Sequence, residues 1–425
     1  MYLERNDINV PVADHIMSSL QHFGETQSST SQVWLTLSRM TAVQIAATSS
    51  VLALTALAPI VAETLGVGAY WIGYQVSFIY FAGLFASLCA GSLVARLSGE
   101  AIIATELVLL IIGLVLLASA NPVLMVAASV LFGIAYGINN PASSVILQEV
   151  ASDKRRSLIF SLKQSGVPLG AVVASAFLPL LALWLSSWQA AILALAFLPA
   201  ILLPLTLRRM WHRPARSLGR FPGIFSTAVN EQKAIMRDPA LRTLAALGCL
   251  MSAMQLTVTA FAVVSLVEIG WSIPAAGALG AALQIAGATG RVGWGIVADR
   301  FGPFRVLSAL GFAAGGLSLV LYFQPLLPQP VLAFVLVALG ACASGWNGVF
   351  LAAIARTAPP GRVGAATGAI LSYTFIGVII GPSLFAALYH VLGSYPLCFA
   401  IGAIPGLIGG VLGYRRHNAN SFVRT

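Results

Sequence analysis

After residue 33 the chain runs through apolar segments long enough to cross a membrane, separated only by short polar interruptions. Hydrophobic residues make up 58% of the sequence and charged residues only 8%. Soluble domains carry about a quarter charged residues, so this chain could not cover a water-soluble globule with polar surface. An α-helix of about 20 apolar residues spans a bilayer and satisfies its own backbone hydrogen bonds there. The sequence therefore predicts an all-α membrane protein and excludes a soluble enzyme.

Eleven interruptions divide the apolar sequence into twelve predicted membrane helices, called segments 1 to 12. They lie near residues 66–71, 96–100, 120–122, 152–156, 186–189, 208–242, 270–274, 300–305, 324–330, 358–362 and 390–396. The predicted domains are an N-terminal tail (1–33), a six-helix bundle (34–207), a central loop (208–242), a second six-helix bundle (243–414) and a C-terminal tail (415–425).

Among the connections between segments, only those that follow even-numbered segments contain Lys or Arg. These connections hold Arg96, 154–156, the central loop, Arg300, Arg305, Arg356 and Arg362. By the positive-inside rule, this bias predicts that both termini and the central loop are cytoplasmic. We expect the membrane to be the plasma membrane of a bacterium, the inner membrane. The net charge of +10 reflects this topology, and we expect no nucleic-acid partner because the basic residues lack interleaved aromatic side chains.

The two predicted bundles repeat each other in sequence. Residues 91–96, GSLVAR, return as GIVADR at 295–300, and Gly137-Ile-Asn139 returns as Gly345-Trp-Asn347. Two homologous six-helix halves on one chain are typical of secondary transporters, which build a binding site between the halves.

Three motifs give the chain a resemblance to a known family. Residues 295–305, GIVADRFGPFR, are close to a GxxxDRxGRR signature between segments 8 and 9, and glycine-proline motifs occur at 166–170 and 377–382. On these motifs the chain resembles the major facilitator superfamily. The resemblance implies two pseudo-symmetric six-helix bundles that alternate access to a central site. The implied gating and structural residues are Gly91, Arg96, Gly166, Pro168, Gly170, Gly295, Asp299, Arg300, Gly302, Arg305, Gly377, Gly381 and Pro382.

The first copy of the signature departs from the family pattern. Ala95 stands where the family has Asp, and Ser98-Gly99-Glu100 follows instead of Gly-Arg-Arg. Asp299 and Arg300 are therefore the stronger copy. Two interpretations remain open for them: a latch that closes the cytoplasmic side, or a tight turn with a topology-setting charge.

Two cations lie inside predicted segments, where a charge is costly and indicates function. Lys163 shares a helical stripe with Gly166 and Gly170, and Arg291 shares one with Gln284, Gly287 and Gly295. In the resembling family segments 5 and 8 meet, so the two cations are expected on opposite walls of one cavity. With no buried carboxylate expected nearby, they would need an anion. Snorkelling to the headgroups is the alternative interpretation.

Residues 290–299 are also similar to segment 8 of monocarboxylate porters, and that resemblance implies that Arg291 holds a substrate carboxylate. A guanidinium offers the two-pronged donor that a carboxylate accepts. Neutral polar groups complete the predicted site, with interhelical hydrogen bonding as their alternative role. The predicted substrate-binding residues are Tyr80, Asn139, Asn140, Lys163, Gln164, Gln284, Arg291, Asn347 and Tyr373. Trp346 and Phe375 are expected to pack rather than to bind.

Glu106 is the sole candidate for a proton relay, with pairing to Arg96 as its alternative, so proton coupling stays open. The sequence predicts a monomeric secondary transporter of a small organic anion, most simply a carboxylate. An exporter of amphipathic or drug-like compounds is the first alternative. A membrane enzyme or a transporter-like sensor is a weaker one, because no catalytic cluster and no signalling domain is visible. No cofactor or metal is expected.

Overall fold

A computed structural model describes residues 30–66, 70–211 and 223–422. Within these residues the helices group into twelve membrane-length units, α1–α12, and one linker helix between α6 and α7. The first bundle comprises α1 (Thr30–Ala56 and Ala58–Leu65), α2 (Tyr70–Arg96), α3 (Gly99–Ala118), α4 (Pro122–Val150), α5 (Arg156–Gln164, Gly166–Val172, the π-helical Val173–Phe177 and Leu178–Trp184) and α6 (Trp188–Leu195 and Phe197–Trp211).

The linker helix is Ile224–Arg237. The second bundle comprises α7 (Pro239–Glu268), α8 (Ile273–Phe301), α9 (Pro303–Val320 and Leu321–Phe323), α10 (Gln329–Thr357), α11 (Val363–Leu392) and α12 (Tyr395–Gly402 and Ile404–Phe422). Ten of the twelve units are long and apolar enough to cross a membrane, counting only described residues, and α2 adds the shorter apolar stretch Phe78–Val94. Helix α8 carries Arg291, Asp299 and Arg300 among its glycines.

The two bundles use the same packing scheme. In the first, α1 packs on α5, α2 on α4, and α3 on both α4 and α6; in the second, α7 packs on α11, α8 on α10, and α9 on both α10 and α12. The bundles meet where α2 packs on α11 and where α8 and α10 pack on the first piece of α5, Arg156–Gln164. The internal sequence repeat is therefore also a repeat of helix contacts.

Large apolar side chains remain exposed around the outside of the bundle. Leu183 and Phe334 are each 71% exposed and Phe197 is 70% exposed. Exposed apolar surface of this extent marks a surface that does not face water. The chain is thus built to be solvated by lipid.

One end of the bundle carries the basic connections and is called the basic face; Arg96, Lys154, Arg300 and Arg362 mark it. The linker helix lies at this face against α2, α7 and α11, so part of the predicted central loop is ordered helix. The predicted N-terminal tail lies outside the described residues up to residue 29. Helix α12 continues to Phe422, past the predicted end of the second bundle at 414.

Candidate functional site

A cavity of about 240 Å³ lies between the two bundles and is lined by α1, α2, α4, α5, α7, α8, α10 and α11. Its walls mix amides and hydroxyls with aromatic rings. Among the lining residues that the structure describes, Arg291 is the single charged side chain. The polar and aromatic lining residues are Thr48, Tyr80, Tyr136, Asn140, Gln164, Ser252, Gln255, Thr259, Gln284, Arg291, Ser344, Trp346, Asn347, Phe350, Thr374 and Phe375. A cavity with one fixed positive charge favours an anion.

Arg291 is held at the boundary between the two bundles. Its side chain is buried, its Nε donates to the carbonyl of Ser344 at 3.0 Å, and its Nη1 donates to the carbonyl of Gln164 at 2.6 Å. Proline has no N–H, so Pro168 leaves that Gln164 carbonyl without its helical donor. The break in α5 thus creates an acceptor that Arg291 fills from the other bundle. Snorkelling is wrong for this side chain, because it bonds to carbonyls within the protein.

Lys163 does not line the cavity, and its predicted place opposite Arg291 is wrong. The side chain is fully buried, and its Nζ donates to three amide oxygens: Gln44 at 2.6 Å, Asn139 at 2.7 Å and Asn140 at 2.6 Å. The stripe that it shares with the α5 glycines packs on α1, not on α8. A Cβ at Gly166 would lie 2.8 Å from the Thr41 carbonyl oxygen, which shows how closely α5 approaches α1. That contact turns Lys163 toward α1 and α4.

The expectation that no buried carboxylate lies near the two cations is also wrong. Glu106 is fully buried on α3, and its Oε1 accepts a hydrogen bond from Asn139 Nδ2 at 2.7 Å. Asn139 therefore stands between Glu106 and Lys163, donating to one and accepting from the other. Asn139 is 33 positions from Glu106 and 24 positions from Lys163 in the sequence. The two contacts therefore depend on how α3, α4 and α5 pack.

The structure brings five of the predicted neutral residues to the cavity wall: Tyr80, Asn140, Gln164, Gln284 and Asn347. It places Asn139 behind the wall, and Tyr373 is not among the lining residues. Asn139 faces α3 and α5 because Glu106 and Lys163 hold both ends of its amide.

Two aromatic residues that were expected only to pack also line the cavity. Trp346 Nε1 donates to Gln255 Oε1 at 2.9 Å, and its ring lies 5.0 Å from that of Phe350. Phe375 lies near the rings of Tyr80 and Tyr136, with centroids 6.3 and 6.4 Å away. The cavity is thus bounded by aromatic surface on both the α2–α4 side and the α10–α11 side.

At the basic face, Asp299 joins the two bundles. Its Oδ1 and Oδ2 accept from the backbone N–H groups of Ser157 and Leu158, each at 2.9 Å, at the start of α5. Arg356 Nη2 adds an ion pair to Oδ1 at 2.8 Å and also donates to the Asp153 carbonyl at 2.8 Å. The first N–H groups of a helix lack intrahelical partners and carry partial positive charge, so a carboxylate is well placed there.

The other residues of the 295–305 signature make local contacts and turns. Arg300 and Arg305 are exposed, and each lies near the ring of Phe301. Gly302 makes the turn into α9 at φ +89°. Gly295 allows α8 to approach α5, since a Cβ there would lie 2.7 Å from the Cβ of Ser161. The ion pair of Asp299 with Arg356 therefore lies within the second bundle, each partner binds backbone of the first bundle, and Arg300 takes no part in the pair.

The contact between α2 and α11 is built differently. A Cβ at Gly91 would lie 2.8 Å from the Cα of Ala365, and Ser87 Oγ donates to the Gly368 carbonyl at 2.9 Å. The linker helix adds polar contacts to α11: Glu231 pairs with Arg362. From the next residue, Gln232 Nε2 donates to the Ala369 carbonyl at 3.1 Å and to Ser372 Oγ at 3.3 Å. Arg96 is the last residue of α2.

The glycine-proline motifs serve the packing within each bundle. Gly377 and Gly381 of α11 approach α7, with a Cβ at Gly377 lying 2.1 Å from the Cys249 carbonyl oxygen. Gly166 and Gly170 of α5 approach α1 in the same way. Pro382 lies within α11, as Pro168 lies within α5. The motifs thus hold α5 and α11 against their own bundles.

The Major Facilitator Superfamily family model matches residues 40–373 and 245–421. The chain belongs to the Major Facilitator Superfamily. It is 26% identical over 321 residues to a gallate transporter from Pseudomonas putida, covering 67% of this chain and 69% of that protein. Superfamily membership and fold make this chain a multi-pass membrane transporter rather than an enzyme.

Solved superfamily structures share the fold across nearly the whole chain. The Escherichia coli fucose:proton symporter FucP aligns with a TM-score of 0.71 at 16% identity, covering 90% of this chain and 99% of that one. The human organic anion transporter MFSD10 aligns with a TM-score of 0.68 at 16% identity, covering 89% and 99%. At these identities the similarity shows the fold, and the predicted twelve-helix architecture is confirmed.

Several residues in or behind the cavity wall were not predicted from the sequence. Gln255 accepts from both Trp346 and Asn347, the latter at 3.0 Å, and Gln44 accepts from Lys163. Each is a glutamine inside an apolar helix, which is the signal that could have identified it. Tyr136 lies one turn before Asn140 on the same face of α4, and that spacing could have identified it as well.

Proposed function

We propose that this protein is a secondary active transporter of a small organic anion, with an aromatic carboxylate such as gallate as the leading substrate. The observation that carries the proposal is Arg291, the charged side chain of the cavity, held where the two bundles meet. A guanidinium in a site shielded from water binds a carboxylate through paired hydrogen bonds.

The shape of the site supports an aromatic acid of one ring. Tyr80, Tyr136, Trp346 and Phe375 supply aromatic surface, and amides such as Asn140 can bond hydroxyl groups on a ring. The cavity of about 240 Å³ is smaller than the pockets of about 300–1,000 Å³ that take drug-sized ligands. This favours a small acid over the drug-like compounds of the alternative hypothesis. The relative named a gallate transporter is consistent with that choice.

The positions at which the bundles touch support alternating access. The inter-bundle contacts of α8 and α10 fall on the first piece of α5, at the basic face, together with the Asp299 ion pair. We propose that this state is closed at the basic face, that the basic face is cytoplasmic, and that the protein works as a monomer in the bacterial plasma membrane. The charge bias of the connections supports the orientation.

Uptake by proteoliposomes tests the function. The purified protein should transport radiolabelled gallate, and other one-ring carboxylates should compete while neutral sugars and amines should not. Arg291→Ala should abolish this uptake, and Arg415→Ala, which changes an exposed arginine near the end of α12, should leave it intact. Transport of a sugar or an amine in place of carboxylates would contradict the proposal.

A further inference from the structure

A buried polar cluster lies behind the cavity wall, and of its five members only Asn140 lines the cavity. It consists of Glu106 on α3, Asn139 and Asn140 on α4, Lys163 on α5 and Gln44 on α1. Glu106 and Lys163 are both fully buried in the membrane-spanning part of the protein. Buried ionisable groups at such depth are costly and indicate function.

The cluster leaves one carboxylate oxygen unused. Glu106 Oε1 accepts from Asn139, and Oε2 is buried without a hydrogen-bond partner. An ionised carboxylate oxygen in that situation lacks the donors that a buried charge demands, whereas a protonated carboxyl group carries no charge to compensate. The geometry therefore offers a place for a proton at Oε2 while Oε1 keeps its bond to Asn139.

Lys163 is built into the cluster as a fixed cation. An ammonium has three N–H donors, and the Gln44, Asn139 and Asn140 oxygens accept all three. Amide oxygens are also suitable ligands for a hard cation such as sodium. The Lys163 ammonium already occupies the space between these three oxygens, where such a cation would bind. This arrangement argues for a proton and against sodium as the coupling ion.

We propose that Glu106 is the proton-binding site of this transporter, with Lys163 as the counter-charge that links its protonation to anion binding in the cavity. The proposal rests on the proposed function. With Glu106 ionised, the Glu106–Lys163 pair is neutral. When Oε2 takes up a proton from one side of the membrane, the cation of Lys163 is left uncompensated.

Asn140 connects that cation to the substrate. It accepts from Lys163 and also lines the cavity, so it lies between the uncompensated charge and a bound anion. The anion restores neutrality, and each ligand therefore raises the affinity of the other by the same factor. Proton and anion then cross together, and release of the anion on the other side lowers the affinity of Glu106 for its proton.

Other titratable groups on the helices packed against α3 have different surroundings. Arg39 of α1 is paired with Glu100 through bonds of 2.5 and 2.6 Å, and Tyr80 and Tyr136 line the cavity. The remaining titratable side chains that the structure describes on these helices lie within two turns of a helix end: Glu63, Cys89, Arg96, Glu149, Arg208 and Arg209. Lys163, one amide away, is the charged group linked to Glu106.

Glu106→Gln tests the proposal, because glutamine keeps an oxygen for the Asn139 bond and fixes the side chain in a neutral state. In proteoliposomes the variant should exchange gallate for gallate as the wild type does but lose accumulation driven by a pH gradient. Glu63→Gln, at an exposed position near the end of α1, is the matched control and should retain accumulation. Accumulation by Glu106→Gln at the wild-type level would overturn the proposal.

Proton uptake on binding gives a second readout that does not need transport. In weakly buffered detergent solution, gallate should draw a proton onto the wild type and onto Glu63→Gln, but not onto Glu106→Gln. Gallate binding by the wild type without proton uptake, or uptake that depends on sodium and not on pH, would overturn the assignment of Glu106. A wild type that binds no carboxylate would contradict the proposed function itself.

Discussion

The two bundles meet at the basic face through two contacts that the internal repeat makes equivalent, yet they are built from different chemistry. Between α8 and α5, one carboxylate, Asp299, binds two backbone N–H groups and an arginine. Between α2 and α11, the equivalent position is Ala95, which has no carboxylate. There, close helix packing at Gly91 and the linker helix make the contact.

Because of this difference, the charged groups that join the two bundles directly lie at the α8–α5 contact. The α8–α5 contact holds both the Asp299 hydrogen bonds and the Arg291 bond to the Gln164 carbonyl, so the proposed gate and the arginine proposed to bind the substrate share one pair of helices. On the α2–α11 side, which has no such carboxylate, the polar contacts come from the linker helix, which is not part of the repeat. We expect the first contact to respond to substrate and the second to act as a hinge.

Removing the carboxylate of the α8–α5 contact should have the largest effect. Asp299→Asn loses the charge that both Arg356 and the start of α5 bind, and hydrogen bonds to charged groups contribute about 1.5–3 kcal/mol. At about 1.4 kcal/mol per decade, the equilibrium should shift about ten- to a hundredfold toward opening of the basic face.

Spin labels on exposed positions can measure this opening in a variant whose native cysteines are replaced. A pair at 154 and 305 reports on α5 and α8, and a pair at 97 and 360 reports on α2 and α11. In Asp299→Asn we expect the first pair to separate more than the second. Equal distances in wild type and variant for both pairs would show that Asp299 is no gate.

Adding the missing carboxylate should have a smaller effect of opposite sign. By equivalence with Asp299, Ala95→Asp should offer a carboxylate to the start of α11, and helix N-terminal capping contributes about 0.5–2 kcal/mol. The basic face should then stay closed more of the time, and gallate exchange should slow. Faster exchange, or opening of the basic face, would show that the two contacts are not equivalent; Ala95→Asn is the uncharged control.

The linker-helix ion pair should contribute least. Glu231 pairs with Arg362, whose side chain is 48% exposed, and pairs of this kind contribute about 0.2–1 kcal/mol. Glu231→Gln should therefore shift the separation of the 97–360 pair slightly, and more at low salt than at high salt. A shift as large as that of Asp299→Asn would mean that the linker helix is a main gate.

The fold was predictable because it follows from hydropathy and repetition, which are properties of the sequence alone. The position of Arg291 in the cavity wall was predictable because a charged side chain in a membrane helix almost always faces the protein interior or a cavity. Lys163 was misplaced because its glycine stripe fits α1 as well as α8, and the stripe itself does not say which. The Glu106–Asn139 bond joins residues 33 apart and depends on how α3 meets α4, so no local pattern reveals it.

The most direct test of the account is the affinity for gallate measured by calorimetry on Arg291 variants. Arg291→Lys keeps the charge but loses the two-pronged geometry, so it should weaken binding, and Arg291→Ala should weaken it about ten- to more than a hundredfold. Arg415→Lys, at an exposed position, should bind as the wild type does. Affinities of Arg291→Lys and Arg291→Ala within about twofold of wild type, in well-folded protein, would contradict the anion site.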